Sequence, residues 1–149
     1  MKRLTNKILL SVGLIIFFLA IGFLFFCPSR FVVEDITYNK ASNDLIEVEL
    51  PFPGAVVGKE FSVIGKARGV WFFEASFPLK VLDEKGQELA VSFAQAEGEW
   101  MTENLVPFKG DIKIPQSYIG PATLILKKDN PSGLPEHDAS ISFPIIIEY

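Results

Sequence analysis

At 149 residues the chain has room for one domain of ordinary size beside any targeting segment. Three of its 14 basic residues (Lys2, Arg3 and Lys7) precede a long apolar run and none of its 18 acidic residues does, which leaves 11 basic against 18 acidic groups beyond it, a formal −7. Such a balance argues against nucleic acid as a partner, because phosphate backbones are held by clustered Lys and Arg. A single cysteine, Cys27, excludes an intrachain disulfide.

The first predicted element is residues 8–27, ILLSVGLIIFFLAIGFLFFC, which carry no charge. As a helix rising about 1.5 Å per residue, this stretch spans roughly 30 Å, the hydrocarbon thickness of a bilayer. Lipid demands that a segment satisfy its own backbone, so a helix is expected. The cations ahead of it keep the N-terminus cytoplasmic and send everything later outside the cell membrane. Residues 1–29 are therefore read as a cytoplasmic N-terminus and single-pass anchor in the lipid bilayer. Cleavage as a secretory signal and lipidation at Cys27 are the alternatives. Both fit less well, since Phe25, Phe26 and Pro28 offer no small-residue site.

Residues 30–44, RFVVEDITYNKASND, read as a polar spacer. From residue 45 to 149 the period changes to two, broken by turn residues every 8 to 15 positions, as expected of a sandwich or barrel. Strands are predicted at 46–50, 60–67, 72–82, 89–96, 108–114, 122–127 and 139–147. In 72–82 the residues Phe73, Ala75, Phe77, Leu79 and Val81 share a face. The turn Asp83-Glu84-Lys85-Gly86 leads into a return strand with Leu89, Val91 and Phe93 inward, making a hairpin. In the last strand Ala139, Ile141, Phe143, Ile145 and Ile147 share a face, and Pro144 marks an edge or a bulge. Seven strands in about 105 residues match an all-β, immunoglobulin-like sandwich. Without a disulfide, its core is expected to rest on Trp71, Phe73, Phe77 and Phe93, each contributing about 2–3 kcal/mol on burial.

Residues fit for chemistry are few. His137 is the only histidine, so no Ser/His/Asp or Cys/His set assembles, and the chain is expected not to be an enzyme. No phosphate loop or metal-ligand spacing occurs, and no cofactor is expected. Glu74, flanked by aromatics, is a candidate ligand-binding residue, or else an outward strand residue paired with Lys66 or Arg68. Asp129 and Asn130, in Asp129-Asn130-Pro131-Ser132-Gly133, offer oxygens to a cation but match no known calcium loop, and the segment is first of all a turn. Trp71 and Trp100 are candidates for an aromatic binding surface, with Phe108 near the second. The same aromatics suit either closure of the sandwich ends or stacking on a glycan.

Several motifs in order carry a resemblance. These are Gly65-Lys66-Ala67-Arg68-Gly69, then Trp71 to Pro78 (WFFEASFP), then Gly98-Glu99-Trp100-Met101-Thr102, then Val106-Pro107-Phe108, and then Lys128 followed by the Asp129 to Gly133 turn. Over about residues 46–147 the chain resembles the immunoglobulin-like domain of bacterial spore germination. That resemblance implies a β-sandwich in a bacterial, extracytoplasmic setting and no catalysis, and it brings no binding residues with it. The function expected is a membrane-anchored interaction module for an envelope protein or cell-wall polymer, with glycan or peptidoglycan binding through exposed aromatics as the alternative.

Overall fold

The computed structural model describes residues 36–149, and the expected anchor, residues 8–27, lies outside them. Nine strands follow in chain order: β1 (Thr37–Asn39), β2 (Ile46–Leu50), β3 (Val56–Val57), β4 (Glu60–Arg68), β5 (Ser76–Asp83), β6 (Glu88–Ala96), β7 (Leu105–Lys113), β8 (Gly120–Lys127) and β9 (Ser140–Ile147). The expected strands 46–50, 60–67, 108–114, 122–127 and 139–147 all appear, shifted by at most three residues at an end. The alternation that predicts them is also what buries one side of each. Among the described residues no helix is long and apolar enough to cross a membrane.

Hydrogen bonding runs in the order β1-β9-β8-β5-β6-β7-β4-β2, with β3 pairing β9 in parallel. The sheet curls so that β2-β4-β7 packs against β5-β8-β9 as an immunoglobulin-like sandwich. Strand β6 joins the two layers, pairing with β5 along most of its length and with β7 at Gln95 and Ala96. Where the layers meet, the rings of Phe77 on β5 and Phe108 on β7 lie edge to face at 4.9 Å, a favoured geometry for aromatic pairs. Trp71 and Phe72 complete the cluster around Phe77, at 6.3 and 5.3 Å. The inward row of β9 is buried as expected, from Ala139 through Ile147.

Four expectations need correcting. The strand expected from residue 72 begins at Ser76, because Glu74 and Ala75 take positive φ (48° and 62°) and close a tight turn in which Phe73 and Ser76 exchange backbone hydrogen bonds. Phe73 is consequently exposed, and it is Phe72 that is buried.

The inward face of β6 is also opposite to the one expected. Between Val81 and Leu82 the register with β5 shifts, so that Ala90 and Glu88 are successive partners and Leu89 is the extra residue. A bulge of one residue exchanges the faces of everything beyond it. Ala94 is thus fully buried, while Phe93 is 53% exposed. Gly110 of β7 packs directly against Ala94, and a Cβ built there would stand 2.9 Å from the Ala94 Cα. The core aromatics are Trp71, Phe72, Phe77, Phe108 and Phe143, without Phe73 or Phe93.

The polar spacer is the third correction, because residues 37–39 form β1 against β9. The fourth is strand number, nine against about seven, the two additions being the very short β1 and β3. Pro144 lies within β9 opposite Thr123 of β8. On its other side it falls in the gap between the β1 and β3 pairings, where its carbonyl accepts from the Gly54 N–H at 2.8 Å. The donor it lacks costs no ladder bond there.

Candidate functional site

Three loops share one end of the sandwich: residues 69–75 between β4 and β5, 97–104 between β6 and β7, and 128–139 between β8 and β9. Backbone contacts lock them to each other and to the strands. Gly69 opens the first loop beside the Trp100 and Thr102 carbonyls, and the Thr102 nitrogen would stand 2.9 Å from any Cβ, so glycine is required. The Asp129 N–H donates to the Trp71 carbonyl at 3.1 Å, tying the third loop to the first. The Ala96 N–H donates to the Ala75 carbonyl at 2.8 Å, and the Arg68 guanidinium donates at 2.7 Å to both the Asp44 and Glu103 carbonyls.

All five candidate residues lie at this end, but they do not form one site. Trp71 is fully buried, with its indole N–H lacking a hydrogen-bond partner among the described residues, and presents no face for stacking. As a surface residue it is a wrong expectation: the 3-10 turn Gly69–Trp71 folds it under Phe77. Trp100 is half-buried and packs against the core. Glu74 is exposed on the tight turn and has no cross-strand partner among the described residues, since Lys66 pairs with Glu49 at 3.3 Å and Arg68 is spent on carbonyls.

Asn130 is used within its own loop. Its amide donates to the Leu134 carbonyl and to Asp138 Oδ1, both at 2.9 Å, and its Oδ1 accepts from the Ser132 hydroxyl at 2.5 Å. Asp129 is half-buried beside it. This pattern is a self-satisfied turn, as expected for Asn and Ser flanking proline. Among the described residues no group of three His, Cys, Asp or Glu side chains is placed to hold a metal ion. His137 is exposed in the 3-10 turn Pro135–His137, and Phe108, which had stood near Trp100 as a surface aromatic, is in the core.

What the end does present is apolar. Val70, Phe73, Met101 and Leu134 are exposed, Met101 to 75%. They went unrecognised because Val70, Met101 and Leu134 lie in loops, where periodicity carries no information, and Phe73 lies in a turn that reads as part of the strand alternation. The signal was a large apolar residue inside a turn-rich segment. The three loops carry seven carboxylates and one lysine, so this rim is strongly acidic. Elsewhere, a shallow depression on the outer β4–β7 face is lined by Glu60, Phe61, Ser62, Asp111, Ile112 and Lys113. Its polar groups are already paired, Ser62 to Asp111 at 2.6 Å and Lys113 to Glu60 at 2.7 Å, and the same carboxylate raises the pKa of Lys113 through that hydrogen bond and its charge.

Residues 45–133 match the family described as the immunoglobulin-like domain of bacterial spore germination. The chain belongs to this family. No curated protein and no solved structure matches it. The matched region runs from the residue before β2 through the Asn130 turn and so contains all three of the motifs that meet at the loop end. Membership agrees with the observed sandwich, and the family description carries a link to germination.

Proposed function

We propose that this member of the germination family is an interaction module of a bacterial envelope, with no catalytic step. Residues 8–27 anchor it as a single helix, with the N-terminus cytoplasmic and the sandwich outside. The loop end engages an envelope protein or a cell-wall polymer, in a process linked to germination. One observation carries the binding part of this reading. Four exposed apolar side chains, Val70, Phe73, Met101 and Leu134, stand on loops fixed by backbone hydrogen bonds. Rigidly presented apolar groups in an otherwise polar setting are what a recognition surface requires.

Glycan stacking is less well supported, because Trp71 is inaccessible and Trp100 only half exposed. A photo-crosslinking residue at Val70 or Met101, introduced in whole cells, is expected to trap a distinct partner. The same residue at Lys113 on the outer sheet face serves as the comparison. Adducts formed equally well at Lys113, or none at the loop positions, would overturn the assignment of the surface.

A further inference from the structure

A second exposed apolar surface lies away from the loops. Residues 50–57, Leu-Pro-Phe-Pro-Gly-Ala-Val-Val, contain no side chain that is charged or able to hydrogen-bond. Phe52 and Val56 are 60% and 57% exposed, and Leu50, at the start of the segment, is 51% exposed. Val56 is the register partner of the exposed Ile146 on β9, which is in turn opposite the exposed Pro121 on β8. The segment is pinned there, with Gly54 donating to the Pro144 carbonyl and the Ile146 N–H donating to the Ala55 carbonyl at 2.9 Å. The nearby cation is turned inward, as Lys59 is buried and donates to the Tyr118 carbonyl.

The direction of the chain bears on what covers this surface. In β1, Asn39 pairs with Ser140 and Thr37 with Ser142, so β1 read from Asn39 back to Thr37 points along β9 toward Pro144 and Ile146. It therefore heads toward the uncharged surface and away from the loops. Only eight residues, 28–35, separate the uncharged stretch 8–27 from the described domain. Fully extended they reach about 28 Å, roughly the length of one nine-residue strand.

We propose that the surface formed by Leu50, Phe52, Val56, Pro121 and Ile146 rests on the lipid bilayer, among the headgroups and the outermost acyl carbons. This rests on the anchored reading above. A patch of this kind, aromatic and aliphatic and without charge, suits the interfacial layer. The formal −7 beyond residue 27 is repelled by anionic headgroups, so the contact is an apolar one made with electrically neutral lipid. With this surface on the lipid, the loop end is presented outward.

The test uses the full chain carrying Cys27→Ser, reconstituted into phosphatidylcholine bilayers, with single spin-labelled cysteines. Collision with oxygen, which concentrates in lipid, is compared with collision with a water-soluble nickel chelate. Labels at Phe52→Cys and Val56→Cys are expected to favour oxygen, and labels at Val70→Cys and Met101→Cys to favour the chelate. Adding Phe52→Ser and Val56→Ser together should shift a label at Ile146→Cys from oxygen toward the chelate. Near-ultraviolet circular dichroism of the buried Trp71 establishes that each variant is folded. A label at Phe17→Cys reports the anchor. If it meets oxygen while positions 52 and 56 meet the chelate as freely as 101 does, the inference fails and the anchored reading stands. If position 17 is itself in water, both fail. Spin–spin broadening at position 52 without oxygen preference would give the surface to a second copy of the chain and likewise overturn the proposal.

Discussion

The β6 crossing is most directly tested by Gly110→Ala. A Cβ at this position would stand 2.6 Å from Leu79 Cδ1, 2.9 Å from the Ala94 Cα and 2.9 Å from the Phe93 carbonyl oxygen. The first of these neighbours is the tip of a side chain and can rotate away. The other two are β6 backbone, fixed by pairing with β5, and cannot. Overpacking of this kind costs about 1–3 kcal/mol. Alanine offsets about 0.4–1 kcal/mol of that by restricting the unfolded chain. A net loss of about 1.5 kcal/mol remains, roughly a tenfold rise in the unfolded fraction, and lowers Tm by about 6 °C in a domain of this size. Thermal unfolding of the full chain in mild detergent, followed by tryptophan emission, reads this shift. Combining Gly110→Ala with Leu79→Val should recover only part of the loss, because the β6 backbone stays in place. A neutral or stabilising Gly110→Ala would refute the reasoning, since β6 could not then lie against β7 at this point.

Phe77→Ala should cost about 3–5 kcal/mol in the same assay, because it empties the ring at the meeting of Trp71, Phe72 and Phe108. Ala75→Gly should stabilise by about 0.5–1 kcal/mol, since glycine holds the 62° φ of the tight turn without the cost alanine bears there. Burial chiefly, with Asp83 and Glu84 nearby, raises the Tyr118 pKa above 10.0. The folded state keeps that proton longer than the unfolded one, so stability present below pH 10.0 is lost as pH rises beyond it, and Tyr118→Phe should flatten this part of the stability–pH curve. In whole cells, alkaline carbonate should leave the full chain in the membrane fraction through residues 8–27, and its release would remove the anchor.

The sequence made most of the sandwich legible because β2, β4, β7, β8 and β9 alternate cleanly, and one-sided burial needs nothing more. In β6 two alternations overlap, one of Leu89, Val91 and Phe93 and one of Ala90, Ala94 and Ala96. The larger residues look like the core, yet it is Ala94 that faces inward against Gly110 of β7, a strand that this stretch of sequence does not reveal. The turn at Glu74 and Ala75 was hidden for a different reason. Two residues without the usual glycine adopt positive φ, so nothing local announced that the strand had not begun. Strands of two and three residues, such as β3 and β1, are too short to show any period.

The candidate site followed the same division. Trp71, Glu74, Trp100, Asp129 and Asn130 do come to one end, because the β-strands return their loops there. Whether an indole in such a loop faces out or in depends on tertiary packing, and Trp71 faces in. Phe73, assigned to the core by its place in an apparent alternation, became one of the exposed residues for the same reason.

Among the described residues, both margins of the sheet are poor templates for a further strand. On one side β1 offers three residues, and beyond it Pro144 removes a donor just where β9 would otherwise lie bare. On the other, the register of β2 breaks between Val48 and Leu50 before the chain turns away at Pro51. Short, bulged and proline-interrupted edges resist intermolecular zippering. Copies brought together at high local concentration would therefore remain separate sandwiches and not stack into fibrils.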